Sequence, residues 1–185
     1  MIRHPNPRHA MIFGMIVAAT LSRLLPHPPN FTPIGALALF GGAYIDKKPL
    51  AFAAPLSALL LSDMLIGFYT LMPVIYVCFA LTVLMGFVLR KGLRVGKLAV
   101  LVVASSGTFF CVTNLAVWIS GTLYPHTAAG LLTCYGAAIP FYRNEVIGDA
   151  LYATLLFGTL AAAERVIPPL RKKDGLLRMG ESSVL

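Results

Sequence analysis

Of the three cysteines in this chain, Cys78 is the one set inside an apolar run yet close to the side that carries the polar groups. It lies in residues 71–89, LMPVIYVCFALTVLMGFVL, an apolar run opened by Pro73 and closed by Arg90 and Lys91. The thiol stands about five residues past the proline, roughly 7–8 Å at ~1.5 Å per residue, so it is inside the run yet near one end. A thiol among apolar groups is inert, but a soft transition metal brought to it would bind the thiolate. No conventional zinc or iron–sulfur spacing exists, so such a metal must arrive with its own ligands. Cys111, between Phe110 and Val112, reads as a small buried hydrophobe, and Cys134 as an exposed loop thiol.

The other chemically capable residues are sparse, and they collect toward the same side. A proline-broken stretch carries Arg23, His27 and Asn30. Asp63, Tyr69 and Tyr76 flank the next connection. A long segment at 121–143 adds Tyr124, His126, Tyr135, Tyr142 and Arg143, and Asn144, Glu145 and Asp149 follow it. A tyrosine-rimmed mouth with few charges suits capture of a small molecule, although tyrosines also form interfacial belts for structural reasons. Asp63 reads either as a ligand contact or as one half of an ion pair with Arg23 or Arg143, and Asp149 has the same two readings. His27 is a metal ligand, a donor to a bound molecule, or a solvated loop residue.

The elements that position these groups are apolar helices. The chain has 185 residues, 58% of them hydrophobic and 12% charged, with mean hydropathy +0.80. This composition excludes a soluble domain and predicts an all-α, polytopic membrane protein with one domain over 1–185. The expected spans are 10–25, 34–45, 49–68, 72–89, 97–120 and 144–167, with an outer loop at 121–143 that includes a short surface helix near 127–135. The second run is short enough to suggest a re-entrant segment. With six spans and both termini inside, thirteen of the fifteen lysines and arginines fall on the inner side, leaving Arg23 and Arg143 outside. The net charge of +8 is thus a topology signal, which removes nucleic acid as a partner. Ala10, Gly14 and Ala18 put small residues on one face of the first helix, either for internal packing or for docking a partner subunit.

Six spans, inside termini and a small-xxx-small first helix resemble the substrate-binding S components of energy-coupling-factor vitamin transporters. SRLLPHPPNFTPIGALALFGGAYI, SDMLIGFY and YVCFALTVLMGFVLRK look more specifically like the solitary cobalamin transporters called BtuM. The resemblance implies a multi-pass protein of the bacterial inner membrane that binds cobalamin and takes it up from the outer side. It implies Cys78 as the axial ligand of the corrinoid cobalt, and Ala10, Gly14 and Ala18 as the face that meets an energy-coupling module. Alongside it, His27, Asn30, Asp63, Tyr69, Tyr76, Tyr135, Tyr142 and Arg143 are the candidate contacts to the corrin's amides and phosphate. Thiolate coordination could also help remove an upper cyanide, in which case Cys78 would be catalytic. The alternatives are an S component for another vitamin or for a cobalt or nickel ion, and an integral membrane enzyme with Cys78 as nucleophile and His27 or His126 as base.

Overall fold

In a computed structural model the protein is described over residues 7–171. Six helices make up the fold: α1 (Pro7–Ser22), α2 (Ile34–Tyr44), α3 (Lys48–Ile66), α4 (Met72–Phe87), α5 (Val95–Ser120) and α6 (Ala128–Val166). A 3-10 turn, Val88–Lys91, extends α4, and another, Pro168–Leu170, follows α6. Four stretches, Lys48–Ile66, Met72–Lys91, Val95–Ser120 and Ala128–Val166, are long and apolar enough to cross a membrane. Large side chains such as Leu61, Leu65, Val100, Val103, Leu151 and Leu155 point outward. That surface matches a hydrocarbon solvent, where helices already satisfy their own backbone. Arg3, Lys172, Lys173 and Arg178, which entered the charge count, lie outside the described residues.

Cross-contacts fix the direction of every helix. Arg8 and Ser22 of α1 meet Glu164 and Tyr152 of α6, so these two run antiparallel. Leu39 and Gly42 of α2 meet Gly86 of α4, while Arg90, beyond α4, donates to the carbonyls of Gly42 and Ile45 at 2.7 Å each. Hence α2 and α4 run parallel. Ser106 and Asn114 of α5 bond Asp149 and Cys134 of α6, again antiparallel. The helices therefore alternate in direction along the chain. Lys47, Lys48, Arg90, Lys91, Arg94 and Lys97 gather at one end, and Arg23, Asp63 and the proline-broken 23–33 stretch at the other.

The centre is α2, which touches all five other helices. Every residue from Ile34 to Gly42 is buried, as an 11-residue segment with no polar face requires. At ~1.5 Å per residue it is only about 16 Å long, roughly half the bilayer core, and it is preceded by the non-helical 23–33 stretch. Its close fit to α4 is a glycine contact. A Cβ on Gly42 would strike the Val83 carbonyl, and one on Gly86 would stand 2.5 Å from the Leu39 carbonyl oxygen. Only two glycines let these backbones meet.

One expectation is corrected, and one of two open alternatives is removed. The segment 121–143 is not a loop: only 121–127 connects α5 to α6. Residues 128–143 are the first half of one 39-residue helix, capped by the Thr127 hydroxyl, which accepts from Gly130 N, and continuous through Pro140. The small-residue stripe of α1 does not pack internally. Ala10, Gly14 and Ala18 are exposed, while Arg8, Ile12, Ile16 and Ala19 are buried. The two rows are offset by two residues, about 200° around the helix, hence on opposite faces.

These contacts predict opposite outcomes for two glycine substitutions. Gly86→Leu drives a side chain into the α2 backbone and should cost at least the ~1–3 kcal/mol of ordinary overpacking. A Cβ on the exposed Gly14 meets nothing within 4 Å, so Gly14→Leu should leave thermal unfolding in detergent unchanged. Equal stability of the two variants would refute the central crossing.

Candidate functional site

The polar end of the bundle is built around Asp63, which is wholly buried in the last turn of α3. An isolated carboxylate there would be prohibitively costly, so each oxygen must be answered. Arg23 Nη1 lies 2.8 Å from Oδ1. Tyr69 and Tyr76 donate their phenolic hydroxyls to Oδ2 at 3.3 and 3.2 Å. Arg23 also donates to the Leu59 carbonyl at 3.3 Å and to Ser62 Oγ. One ion pair thereby ties the segment after α1 to the end of α3 and the start of α4. The partner of Asp63 is Arg23, not Arg143.

Beside this cluster lies a cavity of about 200 Å³. Ile34 and Gly35 of α2, Leu59 of α3, Ile75 and Phe79 of α4, and Phe109 of α5 form its apolar wall. Arg23, Asn30, Thr32, Tyr69, Glu145 and Asp149 supply the polar one. Asn30 takes a left-handed backbone, φ 62°, a conformation asparagine tolerates, and its residue turns the chain toward α2. Asn144 Nδ2 donates to the Pro29 carbonyl at 3.1 Å and holds that turn against α6.

Asp149 belongs to the fold as much as to the cavity. Its Oδ1 accepts from Ala36 N at 3.1 Å and its Oδ2 from Ser106 Oγ at 3.0 Å. It thus answers one of the free amides at the start of α2, where the helix dipole also favours a negative group. The approach is close enough that a Cβ on Gly35 would overlap the carboxylate.

The remaining candidates disperse. His27 is exposed, with Nδ1 2.6 Å from the Leu25 carbonyl oxygen. Tyr135 donates to the Cys111 carbonyl at 2.6 Å, Tyr142 stacks on Phe110, and Arg143 is exposed. These three follow the α5–α6 hairpin and do not line the cavity. His126 packs edge-on against Trp118. Cys78 is 1% exposed. It lies about 60° around α4 from Ile75, on the flank of the cavity wall, with Glu145 in electrostatic range. Cys111 and Cys134 exchange their expected places: Cys111 is exposed, and Cys134 is buried with Sγ 3.5 Å from the Asn114 carbonyl oxygen. Among the described residues no three His, Cys, Asp or Glu side chains converge as a metal group. Of this wall the sequence singled out Arg23, Asn30, Tyr69, Glu145 and Asp149, while Thr32, Ser62 and Ser106 gave no signal of their own.

Removing one partner of a buried ion pair strands the other, typically at about 3–5 kcal/mol. Arg23→Met should therefore lower the unfolding temperature sharply, and Arg23→Met/Asp63→Leu should recover much of the loss. A double variant no better than the single one would mean that the pair is not the junction described. Tyr69, in the connection outside the helices, has its phenol pushed up from 10.0 to about 12 by burial and then by Asp63. The neutral, donating phenol is the form the fold favours. Its stabilisation is complete below pH ~10 and is lost as pH rises toward 12, which alkaline titration of wild type against Tyr69→Phe would register.

No curated protein and no solved structure matches the chain. Residues 3–170 match the family described as a family of unknown function, DUF6580. Since that match runs through all six helices and every residue of the cavity wall, the chain belongs to this family.

Proposed function

We propose that the protein captures a corrinoid from the outer side of the bacterial inner membrane and takes it up, with Cys78 as axial ligand of the cobalt. All six helices cross the bilayer in this reading, and the basic end with both termini faces the cytoplasm, as the distribution of lysine and arginine favours. The observation that carries the reading is the cavity at the opposite end, lined by residues of α2 to α6, with Cys78 buried next to its wall residue Phe79 in α4 but not itself lining it. A corrinoid is larger than about 200 Å³. For it to bind there the cavity would have to widen, and the segments 23–33 and 67–71, which contribute Arg23, Asn30, Thr32 and Tyr69 to the lining, are the ones that would move. Cobalt held by four corrin nitrogens needs one soft donor, and Cys78 supplies it. The exposed row Ala10, Gly14, Ala18 is the surface that would meet an energy-coupling module.

The cavity's volume favours a second reading, in which a smaller vitamin binds without Cys78 and without opening. A bare cobalt or nickel ion lacks a converging donor set among the described residues. For an enzyme with Cys78 as nucleophile, neither His27 nor His126 has a contact that brings it to the thiol.

Titration of wild type, Cys78→Ser and Cys111→Ser with cobalamin separates these readings. Loss of a thiolate–cobalt bond should weaken binding by a few kcal/mol, each ~1.4 kcal/mol being tenfold, and should abolish the shifted corrin absorption. Cys111→Ser should match wild type in both. An unchanged affinity and spectrum for Cys78→Ser would end the corrinoid assignment of this residue. Orientation has its own check: in a Cys111→Ser background, a membrane-impermeant thiol reagent should reach a cysteine at position 126 from outside intact cells, and one at position 94 only after the membrane is opened.

A further inference from the structure

The cavity holds one more carboxylate than the fold employs. Arg23 is matched by Asp63, and Asp63 also receives two phenols. Asp149 is matched by the Ala36 amide and the Ser106 hydroxyl. Glu145, one turn from Asp149 on the same face of α6, is 7% exposed and lines the cavity. Among the described residues it has no hydrogen bond and no ion pair. A carboxylate at such a place is costly unless something supplies it with charge or donors.

We propose that the cavity is a monovalent cation site in which Glu145 is the anionic ligand. One guanidinium against Asp63, Glu145 and Asp149 leaves the site with a surplus of carboxylates, so its chemistry favours a cation over an anion. Glu145 alone among the three carboxylates is uncommitted, and a divalent ion ordinarily recruits several carboxylates at once, so a single positive charge is the match. Asn30 and Thr32 on the same wall carry neutral oxygens, and an ion with a few waters at ~30 Å³ each fits within about 200 Å³. Phe79, Phe109 and Tyr69 would equally receive a compact organic ammonium on their ring faces. The shared chemistry is a small monocation. This inference rests on the cavity and Glu145, not on the corrinoid, and stands or falls without it.

The test uses the full chain in detergent with no corrinoid present. Thermal unfolding is followed against sodium, potassium or methylammonium chloride, with ionic strength held constant by N-methylglucamine chloride. A saturable rise in the unfolding midpoint is expected with at least one of the three, and the one that acts separates an alkali ion from an organic ammonium. Glu145→Gln should abolish the rise, and Glu145→Asp should retain it with a half-saturating concentration raised about tenfold. If Glu145→Gln does not fold, equilibrium binding of radiolabelled sodium or methylammonium to wild type and Glu145→Asp gives the same comparison. Identical unfolding in all salts overturns the proposal, as does an undiminished response in Glu145→Gln. Stability that follows pH through Glu145 but no cation overturns it in favour of a proton.

Discussion

A helix that begins inside an apolar interior has amide groups pointing at nothing, and this constraint shapes the whole molecule. α2 starts at Ile34 with Pro33 before it and no side chain of its own to cap it. The missing acceptor is borrowed from α6, where Asp149 takes the Ala36 amide and is itself steadied by Ser106 of α5. Three helices are thereby committed to one point. Gly35 has to be glycine for the carboxylate to come so near, and Gly148 has to be small because a Cβ there would stand 3.2 Å from Phe31 Cα. The cavity lies beside this junction, where Ile34 and Gly35 of the first turn of α2 share its lining with Asp149.

The opposite end of α2 is secured differently. Its last carbonyls, left over in any helix, are taken by the Arg90 side chain, which reaches both Gly42 and Ile45 and lies over the Phe87 ring at 4.2 Å. A negative group at the start and a positive one at the finish both suit the helix dipole. The shortest helix is therefore the most thoroughly held, and the longer ones pack around it with outward faces left to lipid.

The Asp63 site was legible because charges are so rare in this chain that a buried acid and a nearby arginine on the polar side had few other partners. The number of helices, their approximate positions and their alternating sense were legible for the same reason. The central role of α2 was less so: its sequence, IGALALFGGAY, shows no polar face, but shortness drew attention to depth in the membrane instead of burial by protein. The 128–143 segment misled because glycine, tyrosine and Pro140 suggest a loop. Length alone could not show that they continue a helix braced against α5 by Tyr135 and Tyr142. Cys134 was misplaced with its segment, read as a loop, and Cys111 because nearly uniform apolarity gives no phase, so the sequence does not say which face of α5 turns inward. Glu145 and Asp149 were visible as a pair, yet their different employments depend on which amide and hydroxyl happen to lie opposite.

At ~1.5 Å per residue the 39-residue α6 is about 58 Å long, nearly twice the bilayer's hydrocarbon thickness. It is clasped near its middle at Gly148 and Asp149, and anchored near one end where Glu164 pairs with Arg8 at 3.0 Å. One continuous helix thus joins the α5 contact of Tyr135 near its start, the start of α2 at its middle and the first helix near its end, so a substitution at any of the three sites acts on an element shared with the other two.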